Sequence, residues 1–241
     1  MPTTWYQGVV RKILPAAPNV KRFWIEVPEL AQFHFQAGQF ITLDLPLGEK
    51  RLQRWRSYSI AGAPDGSDEV ELCVVRSPEG AGSQYLFEEV QAGTVIKFKG
   101  PEGGFVLPDT LDHDLVLVCT GTGIAPFRSM IHDLQRSGKS HRKVHLIFGT
   151  REESGILYRE EFEALARSLP WFQYDIVLSR QPDWSGYKGY VHQVYVAQYQ
   201  EKRPDVHFYL CGWSNMIDEA VSNLMTQLQY DRKQIHYELY G

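Results

Sequence analysis

Four short segments of this 241-residue chain combine residue types suited to holding phosphates and planar rings. Thr120–Pro126 (TGTGIAP) follows the apolar run Leu115–Val118 and precedes a helical stripe. Glycines at 121 and 123, next to Thr120 and Thr122, let the backbone approach a phosphate, and the amides and positive end of the following helix favour an anion. A tight strand–helix turn without a ligand has the same letters. In Arg56–Ser59 (RSYS), strand alternation puts Arg56 and Tyr58 on one face and Ser57 and Ser59 on the other. A guanidinium fork matches two phosphate oxygens, and a phenol can lie against a planar ring; a solvated strand face would read alike. Gly80–Ser83 (GAGS) is a glycine-rich bend with Ser83 at the expected N-cap of a helix, which suits an anion or an ordinary cap. Cys211–Gly212 ends an apolar strand, where a thiol either borders a ligand or simply packs.

The rest of the composition narrows the field. A formal net charge of −4 argues against a nucleic-acid or anionic-membrane surface as the main purpose. No apolar run reaches the ~18 residues of a membrane span, and the first residues lack a signal-peptide core. Three separated cysteines, Cys73, Cys119 and Cys211, fit reduced thiols in the cytoplasm. They are too few for a cysteine-ligated iron–sulfur cluster within this chain. Among the eight histidines, only His141 and His145 are close enough to suggest a metal pair, and they are expected at the surface. No metal is expected.

Two kinds of element must position these segments. Up to Pro108, period-two alternation (Phe23/Ile25/Val27, Ile41/Leu43/Leu45, Val70/Leu72/Val74), broken by Gly/Pro/Asp clusters, predicts antiparallel strands forming a Greek-key β-barrel. Beyond it the pattern changes. Strands at Leu115–Val118, Val144–Phe148, Tyr174–Leu178 and Phe208–Cys211 alternate with helical stripes at 127–134, 162–166, 191–197 and 217–228. That order predicts a doubly wound parallel sheet. The expected domains are 1–108 and 109–241, and a nucleotide belongs at the glycine turn after Val118.

Taken in order, RSYSIA (56–61), LCVVR (72–76), GAGSQYL (80–86), GPEGGF (100–105), GTGIAP (121–126), CGWSNMI (211–217) and Glu238-Leu239-Tyr240 resemble the ferredoxin–NADP reductase family, over nearly the whole chain. The resemblance implies that the barrel binds FAD. Arg56 would meet the flavin pyrophosphate, helped by Ser83, Gly82 and nearby amides. Ser57 would join the FAD contacts, Tyr58 would lie against the isoalloxazine, and Ser59 would sit near its reactive nitrogen. Cys73, Val74 and Arg76 would flank the FAD, Arg76 near its phosphates and adenosine. Thr120, Gly121, Thr122 and Gly123 would hold NADPH or NADH, with Cys211 and Gly212 bordering the nicotinamide. The resemblance gives Ser59, Cys211, Glu238 and Tyr240 the catalytic positions: the carboxylate supports charge or protons, and the final aromatic covers the flavin. Here the chain runs one residue past that aromatic, to Gly241, unlike plant members. Ser179 and Arg180, with Tyr187 and Lys188, resemble the grip on an NADPH 2′-phosphate, although SRQPDWSGYKGYV (179–191) also resembles NADH-using oxygenase reductases.

The function so implied is electron transfer between NAD(P)H and a separate one-electron carrier, ferredoxin or flavodoxin-like, by a monomer without a ferredoxin domain. Lys50, Arg51, Arg54 and Arg56 would steer an acidic carrier. The alternatives are an oxygenase reductase component or a free-flavin reductase. From another class, a nucleotide-sensing subunit without turnover also fits.

Overall fold

The computed structural model describes residues 4–240, the side chain of Tyr240 excepted. The chain divides into two compact units. One runs to Leu107 and includes Ala125–Ser137. The other holds Pro108–Ile124 and everything from Gly138 onward.

The first unit is a six-stranded antiparallel sheet in the order β4-β3-β6-β1-β2-β5. Its strands are β1 (Trp5–Ala17), β2 (Val20–Glu26), β3 (Phe40–Asp44), β4 (Trp55–Ser59), β5 (Glu69–Val75) and β6 (Val95–Glu102). The edge strands β4 and β5 meet through an antiparallel bridge at Ile60–Leu72, which draws the sheet toward closure. β1 and β2 turn at Pro18–Asn19: proline presets the first central dihedral, and Asn19 takes the positive φ of 60° that the second needs. The inward positions Phe23, Ile25, Ile41, Leu43, Val70, Leu72 and Phe98 are buried together, as the alternation requires. A short helix, α1 (Arg51–Arg54), leads into β4, and α2 (Ala81–Glu88) follows β5.

The second unit is a parallel sheet ordered β10-β9-β8-β7-β11-β12. Its strands are β7 (Asp114–Thr120), β8 (Val144–Thr150), β9 (Phe172–Leu178), β10 (Tyr187–Lys188), β11 (Val206–Trp213) and β12 (Ile235–Tyr240). Val116, Val118, Ile147, Val177, Phe208 and Leu210 bury one face against Val191, Val194 and Tyr195 of α5 (Val191–Gln198) and Ile217 and Ala220 of α6 (Ser214–Ser222). On β9, Tyr174 meets Phe162 of α4 (Arg159–Ser168) at a ring separation of 5.4 Å. From β7 the chain steps outward to β8 and β9, then returns to β11 on the other side of β7. The order therefore reverses between β7 and β11, and in open α/β sheets a ligand binds at such a reversal, beyond the carboxyl ends of the strands.

Helix α3 (Ile124–Ser137) connects β7 to β8, and its Ala125–Ser137 stretch belongs to the first unit. Arg128 Nη1 donates to Ala61 O at 2.8 Å and to Glu71 Oε2 at 2.9 Å. Glu71 is buried and also accepts from Arg22 Nε at 2.7 Å, so one carboxylate serves two guanidinium groups. Two other features go beyond the sequence pattern. The terminal segment 235–240 forms an edge strand with no clear apolar period. His145, expected at the surface, is buried between Tyr199 Oη (2.8 Å) and Asp175 Oδ2 (2.9 Å). Among the described residues no helix is long and apolar enough to cross a membrane.

Candidate functional site

In the first unit, β4 pairs with β3 so that Leu43, Thr42, Ile41 and Phe40 stand opposite Arg56, Ser57, Tyr58 and Ser59. Arg56 reaches over the first turn of α2. A Cβ at Gly82 would lie 2.6 Å from Arg56 Cγ and 2.9 Å from its Nε, so glycine is what admits the arginine. Arg56 Nη1 donates to Leu52 O at 3.1 Å and Trp55 O at 2.7 Å, which anchors one arm of the fork. The N-cap of α2 is Gly80, and no side chain caps its first amides. A guanidinium beside uncapped helix amides is a cradle for a phosphate.

Ser83 is not the N-cap. It is the third helical residue, and its hydroxyl accepts from Ser77 N at 2.9 Å and donates to Gly80 O at 2.9 Å. It shapes the bend instead of capping it, because the glycines before it carry the cap geometry. Tyr58 is half-buried against the barrel core, and burial pushes its phenol up to about 12, partly offset by Arg56. It is a neutral ring surface. Ser59 is buried at the end of the same strand. Ser57 stands on the opposite side from Arg56, its hydroxyl 3.0 Å from that of Thr42, which also reaches Glu102 at 3.2 Å. Val74 packs in the barrel core, so its side chain is not available to a ligand. Cys73 is buried opposite Arg22, and Arg76 is ion-paired with Glu88 at the end of α2.

In the second unit the glycine turn docks on the strand end expected to face it. Gly121 has a positive φ of 53° with open space around a notional Cβ, so it is required by backbone conformation. Gly123 is required by contact: a Cβ there would lie 2.3 Å from Cys211 O. A Cβ on Gly212 would come within 2.6 Å of Thr120 Oγ1. Thr120–Gly123 and Cys211–Gly212 thus meet at the β7/β11 reversal. There the Thr120 hydroxyl oxygen is buried without a hydrogen-bond partner among the described residues, as suits a group that bonds a ligand. Thr122 lies within the turn, which leads into α3 with no side-chain cap.

One row crosses three strands: Cys119 pairs in register with Cys211, and Cys211 with Glu238. Burial, reinforced by Cys211, pushes the Cys119 thiol well up, and Cys211 is also fully buried. Both are therefore buried thiols beside the turn, with Glu238 half-buried on the edge. Tyr240 pairs with Trp213 through its backbone, and its side chain and Gly241 lie outside the described residues. Ser179 and Arg180 follow β9, where Arg180 N donates to Arg151 O at 2.8 Å and Ser179 N to Thr150 O at 3.0 Å. Arg151 escaped the sequence reading because it sits in an ordinary charged loop. Both arginines are exposed, and neither guanidinium has a carboxylate partner among the described residues. Tyr187 and Lys188 on β10 pair with Val177 and Leu178 beside them.

Residues 8–107 match the model of the oxidoreductase FAD-binding domain, and 117–222 that of the oxidoreductase NAD-binding domain. With the two cradles above, this defines an oxidoreductase that binds FAD and a nicotinamide nucleotide. The chain is 37% identical to ferredoxin–NADP reductase B of Sorangium cellulosum (strain So ce56) over 95% of its own length and 94% of that protein. It is 32% identical to the phenol 2-monooxygenase reductase component DmpP of Pseudomonas sp. (strain CF600), covering 96% of this chain but only 64% of the relative. A ferredoxin NADP+ reductase from Neisseria gonorrhoeae with bound FAD and NADP superposes with a TM-score of 0.79 at 25% identity, covering 99% of each chain. The chain belongs to the ferredoxin–NADP reductase family.

Proposed function

We propose that the protein takes electrons from NADPH and passes them to a separate one-electron carrier protein of the ferredoxin or flavodoxin kind. The observation that carries this reading is the match over 94% of the Sorangium reductase, whose name supplies that acceptor class. When bound, FAD supplies the conversion between two-electron nucleotide chemistry and one-electron transfer. The chain's own groups bind and orient. Arg56 and the amides of Gly82 and Ser83 hold the pyrophosphate of FAD. Tyr58 presents a neutral ring to the isoalloxazine, and Ser59 a hydroxyl to its reactive edge. Thr120 and the amides of Gly121–Gly123 hold the nucleotide, with Cys211 and Gly212 as the apolar floor beneath the nicotinamide. Glu238 supports proton balance, and the role expected of Tyr240 falls on a side chain outside the described residues. Ser57, Cys73 and Val74 serve mainly as framework, and Arg76 acts through its pair with Glu88.

Two exposed guanidinium groups, Arg151 and Arg180, support NADPH over NADH, since a 2′-phosphate is the feature such a pair would grip. The KM ratio for the two nucleotides tests this. Arg180→Ala should cut the NADPH preference by about tenfold or more, one charge-assisted contact; an unchanged ratio removes Arg180 from the role.

The 32% match to DmpP favours a second reading, in which the acceptor is an oxygenase component. Steady-state reduction of ferredoxin, flavodoxin and oxygenase acceptors by the same FAD-loaded protein separates the two. Lys50, Arg51 and Arg54 would steer an acidic carrier, although Arg54 is already held by Asp44 through two bonds of 2.7 Å. Neutralising Arg51 should therefore weaken the salt dependence of carrier reduction more than neutralising Arg54.

A further inference from the structure

We propose that His207 and His236, with the His113 ring stacked on His207, form a proton-sensitive fastener that positions the edge strand β12, and with it Glu238, against β11. The inference rests on the reading of Glu238 given above. Among the described residues β12 pairs only with β11, so one side of its ladder carries no described strand. On the face that carries Cys211 and Glu238, the preceding registered positions are Tyr209 and His236, and then His207. There the rings form one continuous stack. His113 lies on His207 with centroids 3.8 Å apart, His207 is 5.4 Å from His236, and His236 lies 4.4 Å from Tyr209, with interplanar angles of 24°, 15° and 20°.

The nitrogens make this stack intolerant of extra protons. His207 Nδ1 and His236 Nε2 are 3.1 Å apart, so one of them must be bare to accept from the other. A proton on both would set N–H against N–H. His113 directs Nδ1 at Asp112 Oδ1 (3.1 Å), and its Nε2 is buried without a hydrogen-bond partner among the described residues. Around the stack, Asp112 favours protonation, whereas Lys233 beside His207 and Arg232 beside His236 oppose it, and Tyr209 is neutral. Burial is the largest influence on both strand histidines: it lowers His207 to about 4 and lowers His236 as well. The docked strand thus binds fewer protons than the released one. Its attachment is complete above about 6.5, the ordinary imidazole value, and weakens as pH falls from there toward about 4.

Gln234 anchors the start of β12 without titrating: its Nε2 donates to Arg203 O at 2.9 Å and Val206 O at 2.8 Å. Opening should therefore be confined to the stretch from His236 onward, which includes Glu238. The stack is no metal site. Its rings lie parallel instead of converging, and among the described residues no group of His, Cys, Asp and Glu fits a metal ion.

Hydrogen exchange of the FAD-loaded protein, corrected for the intrinsic rate at each pH, tests this. Protection of the β12 amides that pair with β11 should fall severalfold, less than the roughly tenfold a fully released imidazole would supply, between about pH 7.5 and pH 5.5, while β5 stays constant. His236→Gln keeps an acceptor but cannot titrate, so it should reduce the acid loss of protection, leaving the part that His207 carries, and shift the acid limb of turnover with it. His207→Phe, which preserves the stack, serves if the first variant misfolds. Glu238→Gln should alter turnover and leave the exchange profile in place, which separates failure of the Glu238 reading from failure of the fastener. Equal wild-type protection at both pH values, or an unaltered acid loss in the histidine variants, would overturn the proposal.

Discussion

The two cradles use glycine for opposite purposes. In the first unit, Gly82 makes room for a charged side chain, because Arg56 lies where a Cβ would be. In the second, Gly123 makes room for backbone, the carbonyl of Cys211, and the exposed cations Arg151 and Arg180 belong to later loops. The first is a site held by charge, and the second a site held by shape. Under the proposed assignment, the difference would suit a cofactor that stays and a nucleotide that must leave: a fixed guanidinium would retain a pyrophosphate strongly, while amides and one hydroxyl would release it more readily.

The largest effect should follow from Gly123→Ala. Its Cβ would strike backbone that cannot rotate away, costing about 2–3 kcal/mol of stability. Calorimetry should show a lowered Tm, and titration should show nucleotide affinity reduced much more than FAD content. Arg56→Ala should do the reverse. Removing a charge-assisted contact weakens FAD binding by about 1.5–3 kcal/mol, read as FAD lost on gel filtration, with nucleotide affinity preserved. Gly82→Ala should come next at about 1 kcal/mol, because the Arg56 side chain can swing aside. Its FAD affinity should fall about fivefold. Smallest should be Gly121→Asn, where only the left-handed backbone matters and asparagine tolerates it: under about 1 kcal/mol, with Gly121→Ala somewhat worse. If Gly82→Ala proved as damaging as Gly123→Ala, the contrast between charge and shape would fail.

What the sequence disclosed follows the same division. Local signals sufficed for the barrel strands, the change of period after Pro108 and the glycine turn, because alternation and Gly placement are properties of neighbouring residues. The row Cys119–Cys211–Glu238 was not legible. It depends on parallel pairing between strands far apart in the chain, and HYELY at 236–240 is a half-exposed edge without apolar rhythm. The histidine stack was hidden for the same reason, since its members come from three separate segments. Ser83 was misplaced because a serine after glycines reads as a cap, whereas the cap geometry begins at Gly80. His145 lies on β8 with Tyr199 and Asp175 as partners, neither of them near in sequence, so only the fold reveals why it is buried.

Anaerobic rapid mixing of the FAD-loaded protein with NADPH puts electron passage from the glycine turn to the arginine cradle to the most direct test. The wild type should lose its yellow absorbance in a single fast phase that saturates with nucleotide, and Gly123→Ala should keep its FAD but bleach only at far higher NADPH. A wild-type spectrum untouched by NADPH and NADH alike, or equal bleaching in the variant, would contradict the account.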